Sequence, residues 1–270
     1  MSVTSSSPLP APRAGAPVGR FYAPELDLLR LFAFSLVFLR HVVTNFGLAR
    51  QQQLATAARA LGPAVAHAGA AATAGRWAAL QGYAQSLDFG VSLFFFLSSY
   101  LITRLLLLEK AATGRVAIRD FYVRRSLRIW PLYFTFLAAM AAVAPLAPWL
   151  NLTAPRIFAS LLFVANWPVV LHGWAGSPIE LLWSVSVEEQ FYLVWPQFAR
   201  FGRKGVFAVS TSLAVVPFAT LLWYSRTHAH LENTALWTNS LVQGLFFAGG
   251  ALAACLLPAG GACRPLERGL

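Results

Sequence analysis

LDFGVSLFFFLSSYLITRLLLL, residues 87 to 108, carries no formal charge from Phe89 to Thr103 and then meets Arg104. A helix rises 1.5 Å per residue, so about 20 apolar residues match a hydrocarbon layer roughly 30 Å thick. The stretch therefore reads as a transmembrane helix. Its pattern recurs: apolar runs fall at about 28–48, 129–149, 157–171, 179–198, 205–224 and 241–258. Of 270 residues, 57% are hydrophobic and only 11% charged, against roughly 25% charged in a soluble domain. The run at 157–171, with 15 residues, is marginal for a crossing. The expected fold is all-α: a polytopic transmembrane helical bundle of six full spans plus one short or re-entrant apolar segment.

The formal charge of +11 does not imply nucleic acid as a partner, because the bases gather between apolar runs. Residues 110 to 128 hold Lys110, Arg115, Arg119, Arg124, Arg125 and Arg128 against Asp120. Such loops mark the cytoplasmic face, so a multi-pass cell-membrane protein with this loop in the cytoplasm is expected. Parity then constrains 157–171. Arg200, Arg203 and Lys204 share that face only if this segment enters and returns. Residues 49–85 read as a loop with a loose surface helix.

The first twenty residues are rich in Ser, Pro, Gly and Ala and read as a disordered tail ahead of one domain at 21–270. They lack the apolar core of a signal peptide. Cys255 lies in an apolar run and reads as a core residue, and Cys263 is near the terminus. No CxxC or HExxH motif suggests a metal site, and His228 and His230 read as surface residues.

Charges inside apolar runs carry the functional signal, since an ionised side chain at mid-bilayer costs about 2.5–3.5 kcal/mol on insertion scales. Snorkelling of long side chains near span ends accounts for Arg104, Arg200, Arg203 and Lys204. It accounts less well for Arg30 and His41, eleven residues apart in the first run. Eleven steps of 100° bring a helix back to within about 20° of the same face, about 16 Å further along the axis. An imidazole there is either a neutral ring satisfied by a neighbour or a general base.

Arg125 and Arg128, three apart, share a helix face that Arg124 widens. They suit anionic lipid or a phosphate-bearing ligand. Trp130 and Tyr133 suit the headgroup layer. WSVSVEEQFYLVWP, residues 183 to 196, puts Glu188 and Glu189 in an aromatic segment of a chain with ten acids. They point about 100° apart on a helix and so need different partners. The residues alone fit an enzyme, a transporter or flippase using the charges as a substrate path, or a noncatalytic scaffold.

Four stretches taken together resemble the membrane-bound acyltransferase-3 family. LDLLRLFAFSLVFLRH (26–41) resembles its first helix, with Arg30 and His41. FGVSLFFFLSSYLITRLLL (89–107) resembles the second-helix motif, with Ser99 where a glycine is usual. FYVRRSLRIWPLY (121–133) resembles the arginine-rich motif, and WSVSVEEQFYLVWP is similar almost letter for letter to the family signature. LFFAGGALA (245–253) is a weaker match. Members commonly have more membrane helices than this chain offers, so the resemblance implies a shortened C-terminus. The last helices are then dispensable or supplied by a partner chain, or the chain is a truncated, inactive relative.

The resemblance also implies an O-acyltransferase. The donor substrate would be acyl-coenzyme A, with acetyl the expected group, and no cofactor would be permanently bound. The acceptor would be a hydroxyl of a sugar, cell-envelope glycan or secondary metabolite. Arg124, Arg125 and Arg128 would hold the donor's phosphates and His41 would act as base. Arg30 would stabilise an oxyanion or guide the donor. Glu188 or Glu189 would orient His41, hold the acceptor or neutralise Arg30. Ser98, Ser184 and Ser186 leave a covalent acyl-enzyme open.

Overall fold

A computed structural model describes residues 24–61, 79–80, 82–227 and 233–257. The expected N-terminal tail, Cys263, His228 and His230 lie outside the described residues. Those described form helices and turns, with no strand among them. The α-helices are α1 (Pro24–Leu61), α2 (Phe89–Thr113), α3 (Ile118–Val143), α4 (Ala154–Leu161), α5 (Asn166–His172), α6 (Trp183–Ala199), α7 (Gly202–Thr227), α8 (Asn233–Trp237) and α9 (Ser240–Leu256). Three helical segments are long and apolar enough to cross a membrane: Gly82–Thr113, Ile118–Leu146 and Gly202–Thr227. Ser240–Leu256 is apolar but shorter. Within 49–85, where a loop with a loose surface helix is expected, α1 continues unbroken to Leu61.

Side-chain bonds fix the helix directions. Ser98 of α2 bonds Glu188 of α6, Thr103 accepts from Trp195 Nε1 at 2.8 Å, and Lys110 donates to the carbonyl of Arg200. The partners rise together, so α2 and α6 run parallel. Helix α3 opposes both: Tyr122 donates to the carbonyl of Leu193 at 2.5 Å, while Trp130 reaches back to Glu189. Helix α9 parallels α2, with Phe95 on Phe247 and Arg104 at Leu257. Helix α7 opposes α9, with Arg203 at Cys255 and Pro217 at Gly244. Helix α1 opposes α2, since Ala33 faces Gly90 and Arg40 pairs with Asp88 at 3.1 Å. The six longer helices thus alternate in direction along the chain.

The segment between α3 and α6 therefore returns to the end of the bundle where α3 delivered it. Helices α4 and α5 have 8 and 7 residues, about 12 and 10 Å of rise, far short of a bilayer. Phe163 breaks them apart at φ 55°, a backbone region that bulky residues rarely adopt. Its ring packs on Tyr133, Phe134 and Trp130 at centroid distances of 4.6, 5.6 and 5.7 Å, and its carbonyl accepts from Gln190 at 2.8 Å. Nearby, Glu180 pairs with Arg156 and accepts from the backbone N–H groups of Ala175 and Ser177 at 2.8 and 3.0 Å. This clamp leads the chain into α6. At the other end of the bundle lie Lys110, Arg200, Arg203 and the α2–α3 turn, closed by Gly114 at φ 76°.

Close helix approaches organise the interior. The rings of Phe95, Phe247, Phe191 and Trp195 stack in series at 4.9, 4.3 and 5.0 Å. Ser99 is fully buried and donates to the carbonyl of Phe247 at 2.6 Å. The hydroxyl therefore becomes a cross-link between α2 and α9. Cys255 is buried in the core as expected.

At Gly250 of α9 an added Cβ would stand 2.2 Å from the carbonyl oxygen of Phe96 and 2.9 Å from the nitrogen of Tyr100. Backbone cannot swing aside, so Gly250→Ala is expected to cost about 1–3 kcal/mol by overpacking, read as a lower unfolding midpoint in detergent. Gly249→Ala meets only the Phe96 ring at 3.5 Å. It should stay within about 0.5 kcal/mol of the parent.

Candidate functional site

Glu188 lies in the first half of α6, buried at 9% exposure. From Glu188 to Arg200 is twelve residues, as it is from Ser98 to Lys110, or about 18 Å along each axis. The carboxylate is thus deep within the bundle. It accepts from Ser98 Oγ and Tyr192 Oη, and Arg125 Nη2 stands 3.3 Å away. Arg125 also donates to the Tyr192 hydroxyl, and its guanidinium carbon lies 3.8 Å from that ring's centroid. Cation–π contact and a charge-assisted bond hold the same guanidinium. Side-chain exposures of 16% for Arg125 and 12% for Glu188 make this a largely desolvated pair.

Two more cations act on the same carboxylate. Arg30 of α1 and Arg128 of α3 both lie within electrostatic reach of Glu188 and of each other. Three guanidinium groups lie within reach of one carboxylate, with Asp27 near Arg30 and Glu189 near Arg125; such a charge cluster holds arginines that suit an anionic or polarised carbonyl group. Glu189, one residue on, turns to another face and accepts from Trp130 Nε1 at 3.2 Å. Its second oxygen is buried without a hydrogen-bond partner among the described residues. The two acids therefore have different partners, as their 100° separation requires.

His41 lies elsewhere. On α1 it is eleven residues beyond Arg30, about 16 Å, beside Arg40, which pairs with Asp88 just ahead of α2. Its side is exposed, and Nδ1 lies 2.8 Å from the carbonyl of Val37. A carbonyl only accepts, so Nδ1 carries a proton, and in the uncharged form of the ring the lone pair is on Nε2. Neither Glu188 nor Glu189 bonds to it. Of the roles open to these acids, the geometry brings Glu188 to the arginines.

Of the three arginines expected to form one patch, Arg125 is turned inward to Glu188 and Tyr192. Arg124 and Arg128 are exposed on α3. Sequence reasoning missed Tyr192, although its i+4 spacing from Glu188 places it on the same helix face. It also missed the Arg156–Glu180 clamp, which joins residues 24 apart across a broken helix and has no local signature.

The family model for the acyltransferase domain matches residues 24–260. The peptidoglycan O-acetyltransferase OatA of Listeria monocytogenes is 34% identical over an alignment of 119 residues that covers 40% of this chain and 19% of that protein. The putative peptidoglycan O-acetyltransferase YrhL of Bacillus subtilis is 34% identical over 118 residues, again 40% and 19%. The putative O-acetyltransferase SACOL0978 of Staphylococcus aureus is 33% identical over 115 residues, with the same coverage. The matched segment thus spans about a fifth of the length of each relative. No solved structure matches the chain.

Removing one partner of a buried pair strands the other. Glu188→Ala is expected to destabilise the bundle by about 3–5 kcal/mol, while Arg125→Ala with Glu188→Ala should cost less than the sum of the two single changes. Chemical or thermal unfolding of all four proteins in one detergent gives the coupling energy, expected at about 0.5–3 kcal/mol. Strict additivity would show that the two side chains do not act as a pair.

Proposed function

The chain belongs to this acyltransferase family, and from that premise we propose a membrane O-acyltransferase that moves an acyl group, acetyl first of all, from acyl-coenzyme A to a hydroxyl of a sugar or cell-envelope glycan. The observation that carries the reading is the set of Arg30, Arg125 and Arg128 within electrostatic reach of buried Glu188, a charged cluster inside an apolar bundle. The relatives named as peptidoglycan O-acetyltransferases supply the acceptor class and the acetyl group.

In this reading α1, α2, α3, α6, α7 and α9 cross the bilayer, and the α4–α5 segment is re-entrant. The basic stretch at 110–128, which the sequence reads as a loop, is the end of α2, a short turn and the first turns of α3, and in this reading its turn faces the cytoplasm. The alternation of helix directions supports that count, and the gathering of Lys110, Arg200 and Arg203 at one end of the bundle supports the orientation.

The donor enters from the basic end, its phosphates met by the exposed forks of Arg124 and Arg128. Arg30, level with Glu188, draws the thioester carbonyl onward. Arg125 stays on Glu188 and Tyr192, so it shapes the cluster, and Glu188 keeps three like charges close together. At the far end of the path His41 Nε2 takes the proton of the acceptor hydroxyl. The acceptor oxygen bonds to the acyl carbon, the carbon–sulfur bond breaks, and the coenzyme leaves as thiolate to collect a proton. The roughly 16 Å between Arg30 and His41 is spanned by the donor's pantetheine arm.

The test is turnover of labelled acetyl-coenzyme A by the purified full chain with sugar and glycan acceptors. His41→Ala is expected to lower transfer by about 10²–10⁴-fold with the unfolding midpoint unchanged. Transfer at the parent rate in that variant would remove the base assignment. Arg124→Ala with Arg128→Ala should raise the donor KM well above the parent value. Acceptor movement across the bilayer without thioester consumption would favour transport.

A further inference from the structure

A cavity outside the Glu188 cluster lies at the basic end of the bundle, between the ends of α2 and α9 and the start of α7. It has a volume of about 430 Å³, within the range of small-ligand sites. Arg104, Lys110 and Arg203 line it, and no acid does. The carboxylate nearest in sequence, Glu109, is engaged with the backbone N–H of Ala117 at 3.1 Å. None of the three cations forms an ion pair among the described residues. Lys110 donates to the carbonyl of Arg200, and Arg104 reaches the carbonyl of Leu257 at 3.3 Å. Arg104 Nε is buried with no hydrogen-bond partner among the described residues.

Three cations with one orphaned buried donor call for an anion, since each unmade bond costs the donor its desolvation. Beside the cations the wall is aliphatic, formed by Leu107, Leu108 and Leu257. Leu257 is largely exposed. A hydrated inorganic anion gains nothing from such a wall, whereas a phosphate ester carrying hydrocarbon gains from both. The first turn of α7, at Gly202 and Arg203, adds backbone N–H groups and the positive end of a 26-residue helix to the anion's surroundings.

We propose that this cavity binds the phosphate group of an anionic phospholipid, with the acyl chains leaving along the leucines of α2. The site is separate from the Glu188 cluster: Ser98 and Lys110 are twelve residues apart on α2, about 18 Å. It ties α2, α7 and α9 together through one ligand at the membrane interface, where basic pockets between helices take such headgroups.

The test titrates short-chain phosphatidylglycerol and phosphatidylcholine into the full-length protein in neutral detergent, followed by native mass spectrometry and by the unfolding midpoint. Phosphatidylglycerol is expected to bind at least tenfold more tightly than phosphatidylcholine and to raise the midpoint. Arg104→Gln with Lys110→Gln and Arg203→Gln should abolish that preference. Should the triple variant not fold, Arg203→Gln alone, an exposed position, should weaken it at least threefold, and Arg203→Lys should restore most of it. Equal binding of the two lipids, or a preference that survives these changes, overturns the proposal. So does displacement of phosphatidylglycerol by coenzyme A but not by its 3′-dephospho form, which would make the phosphate the donor's own.

Discussion

Glu188 is a carboxylate buried between the helices of an apolar bundle. Taking such a group out of water costs several kcal/mol even after relaxation, and one neighbour rarely offsets that. Here Arg125 supplies charge, Ser98 and Tyr192 supply hydrogen bonds, and Arg30 and Arg128 add field. The partners come from α1, α2, α3 and α6. One carboxylate thereby couples four helices, and its demand for partners constrains where each must sit.

That constraint extends into topology. Ser98 to Glu188, Thr103 to Trp195 and Lys110 to Arg200 form three rungs between two helices running the same way. Parallel neighbours require an even number of reversals between them, so the stretch from Ala144 to Leu182 has to turn back on itself. The positive φ of Phe163, supported by Tyr133 and Trp130 from α3, is where this happens. The aromatic residues of α3 thus have two jobs: Trp130 packs the turn and also donates to Glu189. Backbone strain in the short segment and placement of the second acid share one side chain.

Much of this was legible before any coordinates. Apolar runs predicted an all-helical chain with membrane-length helices, because period and hydropathy are local properties. Glu188 and Glu189 stood out since ionised groups in apolar runs demand partners. The identity of those partners was not legible. Arg125 reads locally as part of a basic surface patch, and only the crossing of α3 over α6 turns it inward while Arg124 stays exposed. Tyr192 looked like one more aromatic in an aromatic helix. Arg156 and Glu180 sit in unlike surroundings in sequence and meet through a turn that no spacing rule anticipates.

Arg30 and His41 share one stripe of α1, and a single straight helix fixes their separation whatever else moves. Their depth is set instead by how α1 seats on α2. At Gly90 an added Cβ would stand 2.7 Å from the carbonyl oxygen of Ala33 and 2.9 Å from Leu36 Cβ, so the backbones of the two helices come close there. Arg40 pairing with Asp88 pins the same junction from the polar side. With the register locked at these points, Arg30 comes level with Glu188, and His41 falls beyond the first turn of α2. Small residues that permit close approach are the usual means of fixing helix register in a membrane, where hydrocarbon offers no drive to associate. A glycine with no chemistry of its own therefore determines which charges meet inside the bundle and which face its edge.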